Sequence, residues 1–158
     1  MIVQDINNLD RQSLGTCIAI GNFDGIHDGH LELIKKTIEI SDEKNLIPTI
    51  LTFDPMPEEF FDVNGFFRLM DISSKYKVFE KYGIEQVVVI PFDKNFSEIS
   101  KDEFIENILV EKLMLRHLIV GYDFKFGYKR SGDTNLLKFY KDRGLFDLSI
   151  IDIIKSSK

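Results

Sequence analysis

Thr16–Gly21 reads TCIAIG, and the chain continues from Gly21 to His30 as GNFDGIHDGH. The first piece is a strand-length apolar run ended by glycine. From His30 the spacing changes to Leu31, Ile34 and Ile38 with charged residues between, the repeat of a helix with one buried stripe. A strand therefore feeds a helix through a glycine-rich loop. The helix fades through Ser41–Asn45, and Ile47–Phe53 (IPTILTF) is a second β-rich run, with Pro48 near its start, stopped by Asp54, Pro55, Met56 and Pro57. After a loop carrying Phe60, Phe61, Phe66 and Phe67, Ser73–Tyr82 has helical spacing closed by Gly83, and Gln86–Pro91 is the next strand. Its unbroken Val87–Ile90 predicts burial on both faces.

The pattern repeats to the end of the chain. Ser100 with Glu103 three residues on is a capping box, opening a helix with Phe104, Ile108 and Leu109 on its apolar side. His117–Gly121 (HLIVG) is a strand, Asp133 caps a helix that reaches Arg143 and is ended by Gly144, and Leu148–Ile154 is the last strand. Five strands alternating with four helices predict an α/β fold, a Rossmann-like doubly wound five-stranded parallel sheet of order 3-2-1-4-5. In that order the chain reverses between strands one and four, and ligands sit at their carboxyl ends. The loops there, Gly21–His30 and Gly121–Asp133 (GYDFKFGYKRSGD), are the most glycine-rich and chemically mixed segments of the chain.

The 158 residues make one domain, 1–158, and 44% apolar residues with 14 phenylalanines supply one core. Against 20 basic residues stand 26 acidic ones, a net charge of −6, which argues against sequence-independent binding to nucleic acid or an anionic membrane surface. Apolar runs such as Leu118–Val120 are far shorter than the roughly 20 residues that span a bilayer. With the lone Cys17 and a start, Met1–Asp10, that lacks an apolar leader core, the expectation is a cytoplasmic protein.

Two of the three histidines, His27 and His30, fall at the predicted helix start among Gly21, Gly25 and Gly29. Glycines let a ligand approach the backbone, a helix start offers unpaired N–H groups, and imidazoles three apart add donors, a combination suited to a polyphosphate. The Lys-Ser/Thr of a P-loop and the spacing GxGxxG are both missing. A tight turn with two solvated histidines is the plain alternative. A metal held by Asp24, His27 and His30 is a weaker one, since no fourth ligand is evident.

Gly21–His30 resembles the HxGH signature of the nucleotidyltransferase superfamily, and its longer form is similar to the adenylyltransferase module of bacterial FAD synthetases, the bifunctional riboflavin kinase/FMN adenylyltransferases. Thr52–Pro57 (TFDPMP) is similar to the TFxPHP segment of that group, and Gly121–Asp133 to its GxDFxFGxxRxGD segment. The likeness runs in order from Thr16 to Arg143. It implies a nucleotidyltransferase-type fold and transfer of AMP from ATP to FMN, giving FAD and pyrophosphate with Mg2+.

By the same resemblance His27, His30 and Asp123 are the catalytic residues. The histidines hold the ATP phosphates and stabilise charge on the α-phosphorus, while Asp123 helps place the flavin phosphate and Mg2+. Gly21, Asn22, Phe23, Asp24, Gly25, Gly29 and Arg130 join them around ATP. Pro55, Pro57, Phe61, Phe124 and Phe126 line the flavin, beside Asp123. From the residues themselves, Lys125, Lys129 and Arg130 are the one basic stretch near this cleft, able to draw phosphates in or simply solvated, and Phe124 and Phe126 fit ordinary core nearly as well.

The chain departs from the pattern at Met56, where the family has a histidine, and a thioether supplies no hydrogen-bond donor. Ser156, Ser157 and Lys158 stand where the family's ISSTxIR segment begins, and no residues remain for the riboflavin kinase barrel, so kinase activity is not expected of these residues. Two other readings stay open: a non-catalytic flavin or adenine-nucleotide binding module, and a nucleotidyltransferase with a different phosphorylated acceptor. The partners expected are small-molecule nucleotides.

Overall fold

A computed structural model describes residues 1–9, 12–24, 26, 28–61 and 71–152. Six strands form one sheet: β1 (Ile2–Asp5), β2 (Thr16–Ile20), β3 (Ile47–Phe53), β4 (Gln86–Ile90), β5 (Leu115–Gly121) and β6 (Asp147–Ile151). Their spatial order is β1-β4-β3-β2-β5-β6, and every pairing is parallel. The five expected strands are β2 to β6, in the expected order. The sixth, β1, is the correction to the strand count. It pairs with β4 through the register Ile2↔Gln86 to Asp5↔Val89. Its sequence IVQD holds only two apolar residues, too few to show a run or an alternation, and its first three residues are exposed.

The strict period of two in a strand explains why apolar sequence is unbroken in the centre of the sheet. On β2, Ile18 and Ile20 face one layer, with Leu118 and Val120 of β5, Phe104 and Leu109. Cys17 and Ala19 face the other, with Ile119, Leu33, Ile34 and Phe79. The layer on the Ile18 side is α5 (Lys101–Glu103), which runs on as a π-helix over Phe104–Lys112, together with α6 (Thr134–Asp142). Among the helices, α1 (Asp28–Lys44) and α3 (Ile72–Lys81) cover the opposite face through Leu33, Ile34 and Phe79. Two short helices, α2 (Pro57–Phe61) and α4 (Lys94–Ser97), follow the carboxyl ends of β3 and β4 and were not expected from the spacing.

The punctuation read from the sequence is borne out. Ser100 Oγ accepts from Glu103 N at 3.0 Å, and Asp133 Oδ1 accepts from Leu136 N at 3.1 Å. Gly83 and Gly144 end their helices at φ of 97° and 84°. The third helix starts one residue earlier than its spacing suggests, capped by Asp71, which accepts from Ser74 N at 2.8 Å. The final strand is described only to Ile151, so the rest of its expected length and Ser156–Lys158 lie outside the described residues.

The chain goes from β2 out to β3 and β4, then returns across the sheet to β5 on the other side of β2. The switch point is therefore the β2–β5 pair, registered as Cys17↔His117 to Ala19↔Ile119.

Candidate functional site

At the carboxyl ends of β2 and β5 lies a cleft of about 630 Å³, in the range that holds small-molecule ligands. Gly21 and Asn22 form one edge. Asp123, Phe124, Lys125, Phe126, Gly127, Lys129 and Arg130 form the other, and Pro57, Glu58 and Phe61 close it from the β3–α2 side. Of the residues assigned from the sequence, Gly21, Asn22, Pro57, Phe61, Asp123, Phe124, Phe126 and Arg130 thus share one cavity.

Its apolar wall is a relay of rings. Phe61 meets Phe92 at 5.6 Å, Phe92 meets Phe96 at 5.3 Å, Phe96 meets Phe104 at 6.0 Å, Phe104 meets Phe126 at 5.5 Å, and Phe126 stacks on Phe124 at 5.4 Å and 20°. Phe61, at the mouth, is 70% exposed. Phe53, Phe92, Phe96 and Phe104 were not expected in the site. Phe53 ends β3 and Phe92 follows the end of β4 by two residues, on the carboxyl side of the sheet, and that topological rule would have flagged them.

The cationic side of the cleft is a loop drawn tight at its base. Phe126 and Gly132 exchange backbone hydrogen bonds of 3.1 and 2.8 Å, leaving residues 127–131 as a projecting tip. Gly127 has φ of 78°, and a Cβ there would lie 2.7 Å from the Lys101 Cα, so the tip rests directly on the start of α5. Lys129 and Arg130 both adopt left-handed backbone, φ 54° and 58°, at a cost of about 1–3 kcal/mol each. The strained backbone of both cations thus lies on the cavity edge.

The opposing loop is built on Asn22. Its carbonyl accepts from Thr52 Oγ1 at 3.4 Å and from Lys75 Nζ at 3.0 Å, while its Nδ2 donates to both Glu58 carboxylate oxygens at 3.0 and 3.1 Å. Phe23 has φ of 56°, and its ring is fully buried against Phe79 (5.2 Å, edge-on) and His30 (5.3 Å). With its ring buried, Phe23 has only its backbone to present toward a ligand at this loop. His30 stands half-buried in the first turn of α1, close to the amino end that offers free N–H groups. Asp24, Gly29 and His30 flank this loop but do not line the cleft. Gly25, His27, Phe66 and Phe67 lie outside the described residues.

Pro55 does not line the cleft either. It is exposed, and its carbonyl accepts from Phe92 N at 3.2 Å, so it shapes the wall instead of forming it. Met56, where the resemblance has histidine, is 1% exposed and packed inside as a core side chain. Lys75 was missed altogether. The signal was present, because Ile72, Lys75, Tyr76 and Phe79 follow the i, i+3, i+4, i+7 stripe and a lysine within a buried stripe needs a polar partner.

Among the described residues no three His, Cys, Asp or Glu side chains gather as a metal site, and no helix is long and apolar enough to cross a membrane. His117 lies at the other end of β5. Lys44 Nζ donates to its Nδ1 at 3.1 Å and to Asp147 Oδ2 at 2.6 Å, which leaves the ring proton on Nε2, aimed at Ser149 Oγ at 2.8 Å.

Three comparisons place this geometry among known proteins. Curated proteins named bifunctional riboflavin kinase/FMN adenylyltransferase are similar at 37% identity over 138 residues in Buchnera aphidicola (subsp. Schizaphis graminum), 38% in Haemophilus influenzae and 34% in Escherichia coli K12. Each match covers 87% of this chain and only 44–45% of the relative, so the chain spans less than half their length. A solved structure titled as a macrolide-efflux protein from Streptococcus pneumoniae superposes with a TM-score of 0.82 over 96% of this chain and 52% of its own, at 21% identity, and shows the shared fold. The family model described as FAD synthetase matches residues 9–158, which takes in both loops of the switch point and the whole cleft between them, and the chain belongs to the FAD synthetase family.

Proposed function

We propose that this chain transfers the adenylyl group of ATP to the phosphate of FMN, forming FAD and pyrophosphate. The observation that carries the reading is the cleft at the switch point, where an aromatic wall and the Lys125, Lys129 and Arg130 cations face a loop leading into the amino end of α1. A flavin is a planar ring joined to a phosphate, and those two surfaces match its two ends. ATP belongs on the other side, its phosphates over the start of α1 with His27 and His30 as side-chain donors and the backbone of Gly21, Asn22, Phe23, Asp24, Gly25 and Gly29 close by.

In the reaction an FMN phosphate oxygen forms a bond to the α-phosphorus of ATP as the bond to the bridging α–β oxygen breaks, and pyrophosphate carries the electron pair away. The phosphate monoester of FMN is largely dianionic at neutral pH, so its attacking oxygen needs no general base. What the protein must supply is alignment and neutralisation of charge. His27 and His30 meet the charge developing at the α-phosphorus and leaving group, Arg130 and Lys129 hold phosphate oxygens, and Asp123 orients the acceptor. Mg2+ favours oxygen ligands, with one or two carboxylates beside substrate phosphates. Asp123 on the cleft wall suits that role, and the ion would neutralise phosphate charge when bound.

The test is to incubate the purified chain with ATP, MgCl2 and FMN and follow FAD and pyrophosphate together. Equimolar appearance of both is expected. Absence of FAD at any FMN concentration, with the chain folded, overturns the reading.

A further inference from the structure

We infer that Lys75, on a helix outside every motif of the site, is a positioning residue that sets the conformation of the nucleotide-binding loop through the carbonyl of Asn22. The inference rests on the proposed function for its enzymatic readout but has a structural readout of its own.

Lys75 is 2% exposed, and its ammonium donates to Asn22 O at 3.0 Å. One turn further along α3, Phe79 packs edge-on against Phe23 at 5.2 Å. Two residues four apart on one helix thus grip two consecutive residues of the loop, one by its carbonyl and one by its ring. Between those grips Phe23 takes left-handed backbone that a phenylalanine does not adopt unaided. Fixing the peptide plane on one side of Phe23 and the ring on the other over-determines that conformation, the condition under which such strain persists. The same residue connects onward, because Asn22 Nδ2 donates to Glu58 of α2, the helix that carries Pro57 and Phe61 of the cleft wall.

The roles of the two links differ. Glu58 couples the loop to the flavin side, whereas Lys75 and Phe79 fix the loop's own backbone beside His30, whose ring lies 5.3 Å from that of Phe23. Loss of Lys75 should therefore act on ATP and not on FMN.

The experiment compares Lys75→Met, Lys75→Gln and Lys75→Arg with the parent chain, measuring KM for ATP and FMN, kcat, and amide hydrogen exchange of residues 20–24 without substrate. Lys75→Met should raise KM for ATP about tenfold, as when only about a tenth of the chains keep the binding-competent loop, and leave KM for FMN within about twofold. Exchange at residues 20–24 should rise, and Lys75→Arg, which keeps a cationic donor, should recover most of both effects. Unchanged exchange and unchanged KM for ATP in Lys75→Met overturn the inference, as does an equal rise in both KM values. If Lys75→Met does not fold, Lys75→Ala, which also removes the donor, takes its place with the same criteria, while Lys75→Gln, which retains an N–H donor, should fall between the donor-free variant and Lys75→Arg. If the parent chain makes no FAD, the proposed function fails while exchange and ATP binding by calorimetry still decide the role of Lys75.

Discussion

Gly132 lies flat against the ring of Phe126: a methyl group on its Cα would sit 2.4 Å from Cε2 and 2.6 Å from Cδ2 and Cζ, while the two residues exchange both backbone hydrogen bonds. The ring cannot retreat, because Phe104 and Phe124 hold it at 5.5 and 5.4 Å. Gly132→Ala should therefore displace Phe126 and with it the floor of the aromatic cleft. The expected cost is about 1–3 kcal/mol of stability from overpacking, read as a lowered unfolding midpoint, with weaker FMN binding in fluorescence titration. A variant with parent stability and parent FMN affinity would show that the cleft floor yields freely.

Phe61 offers the complementary test, since its 70% exposure means that little of its ring is buried in the fold. Phe61→Ala should leave the unfolding midpoint nearly unchanged. FMN affinity should fall about three- to tenfold, the worth of one aromatic contact, and ATP affinity should not move. Steady-state KM values for both substrates check this, and a shift in ATP alone would put the adenine, not the flavin, on the aromatic wall.

His30 should separate chemistry from folding. Half-buried in the first turn of α1 and in contact with Phe23, it is close enough to the helix's free N–H groups to act with them on the same anion. His30→Ala should lower kcat about 10²-fold or more, as loss of a preorganised donor does elsewhere. His30→Asn, which keeps a donor, should recover part of it. Turnover equal to the parent in both variants removes His30 from the mechanism.

His117 should make stability depend on pH. Burial, reinforced by the Lys44 cation and more weakly by Lys36, and only partly opposed by Asp147, lowers its pKa to about 4 from the ordinary 6.5. The folded chain thus keeps the ring neutral where the unfolded chain protonates it. Between pH 6.5 and about 4 the unfolded state binds the extra proton, so stability falls as pH falls through that window and the loss levels off below it. Asp147 acts on the acid side of the window: its hydrogen bond from Lys44 lowers its pKa below 3.8, so its contribution persists until more acidic conditions. Urea melts from pH 7 to 4 should show the decline in the parent and a flatter profile in His117→Asn. Equal slopes in the two chains would assign the decline to other groups.

The sequence made the centre of this fold readable for a physical reason. Strands such as β2 and β4 are buried on both faces and carry the β-branched runs that announce them, and their helices end on Gly83 and Gly144 or begin on Ser100 and Asp133, whose side chains do one local job. Strand β1 has no such mark, because an edge strand is held mainly by backbone pairing, to which side-chain patterns are blind. The same division runs through the site. Phe61, Phe124 and Asp123 lie in or beside matched motifs, and all three line the cleft. Phe92 and Phe96 come from the end of β4 and from α4, and Lys75 from α3, so they reach the site only through tertiary packing. Phe23 and Pro55 lie beside the cleft in sequence without being part of its lining, since sequence proximity to a loop does not say which way a side chain turns.

The placement of His117 has a further consequence. Strand β5 carries it near one end and delivers Asp123 just past the other, and β2 does the same with Cys17 and Asn22. At about 3.3 Å per residue, six residues separate the acid-sensitive polar cluster from the cleft by some 20 Å. Acid tolerance and substrate handling are therefore properties of opposite rims of one rigid sheet, and substitutions that adjust the first can be combined with substitutions that adjust the second without either set disturbing the other.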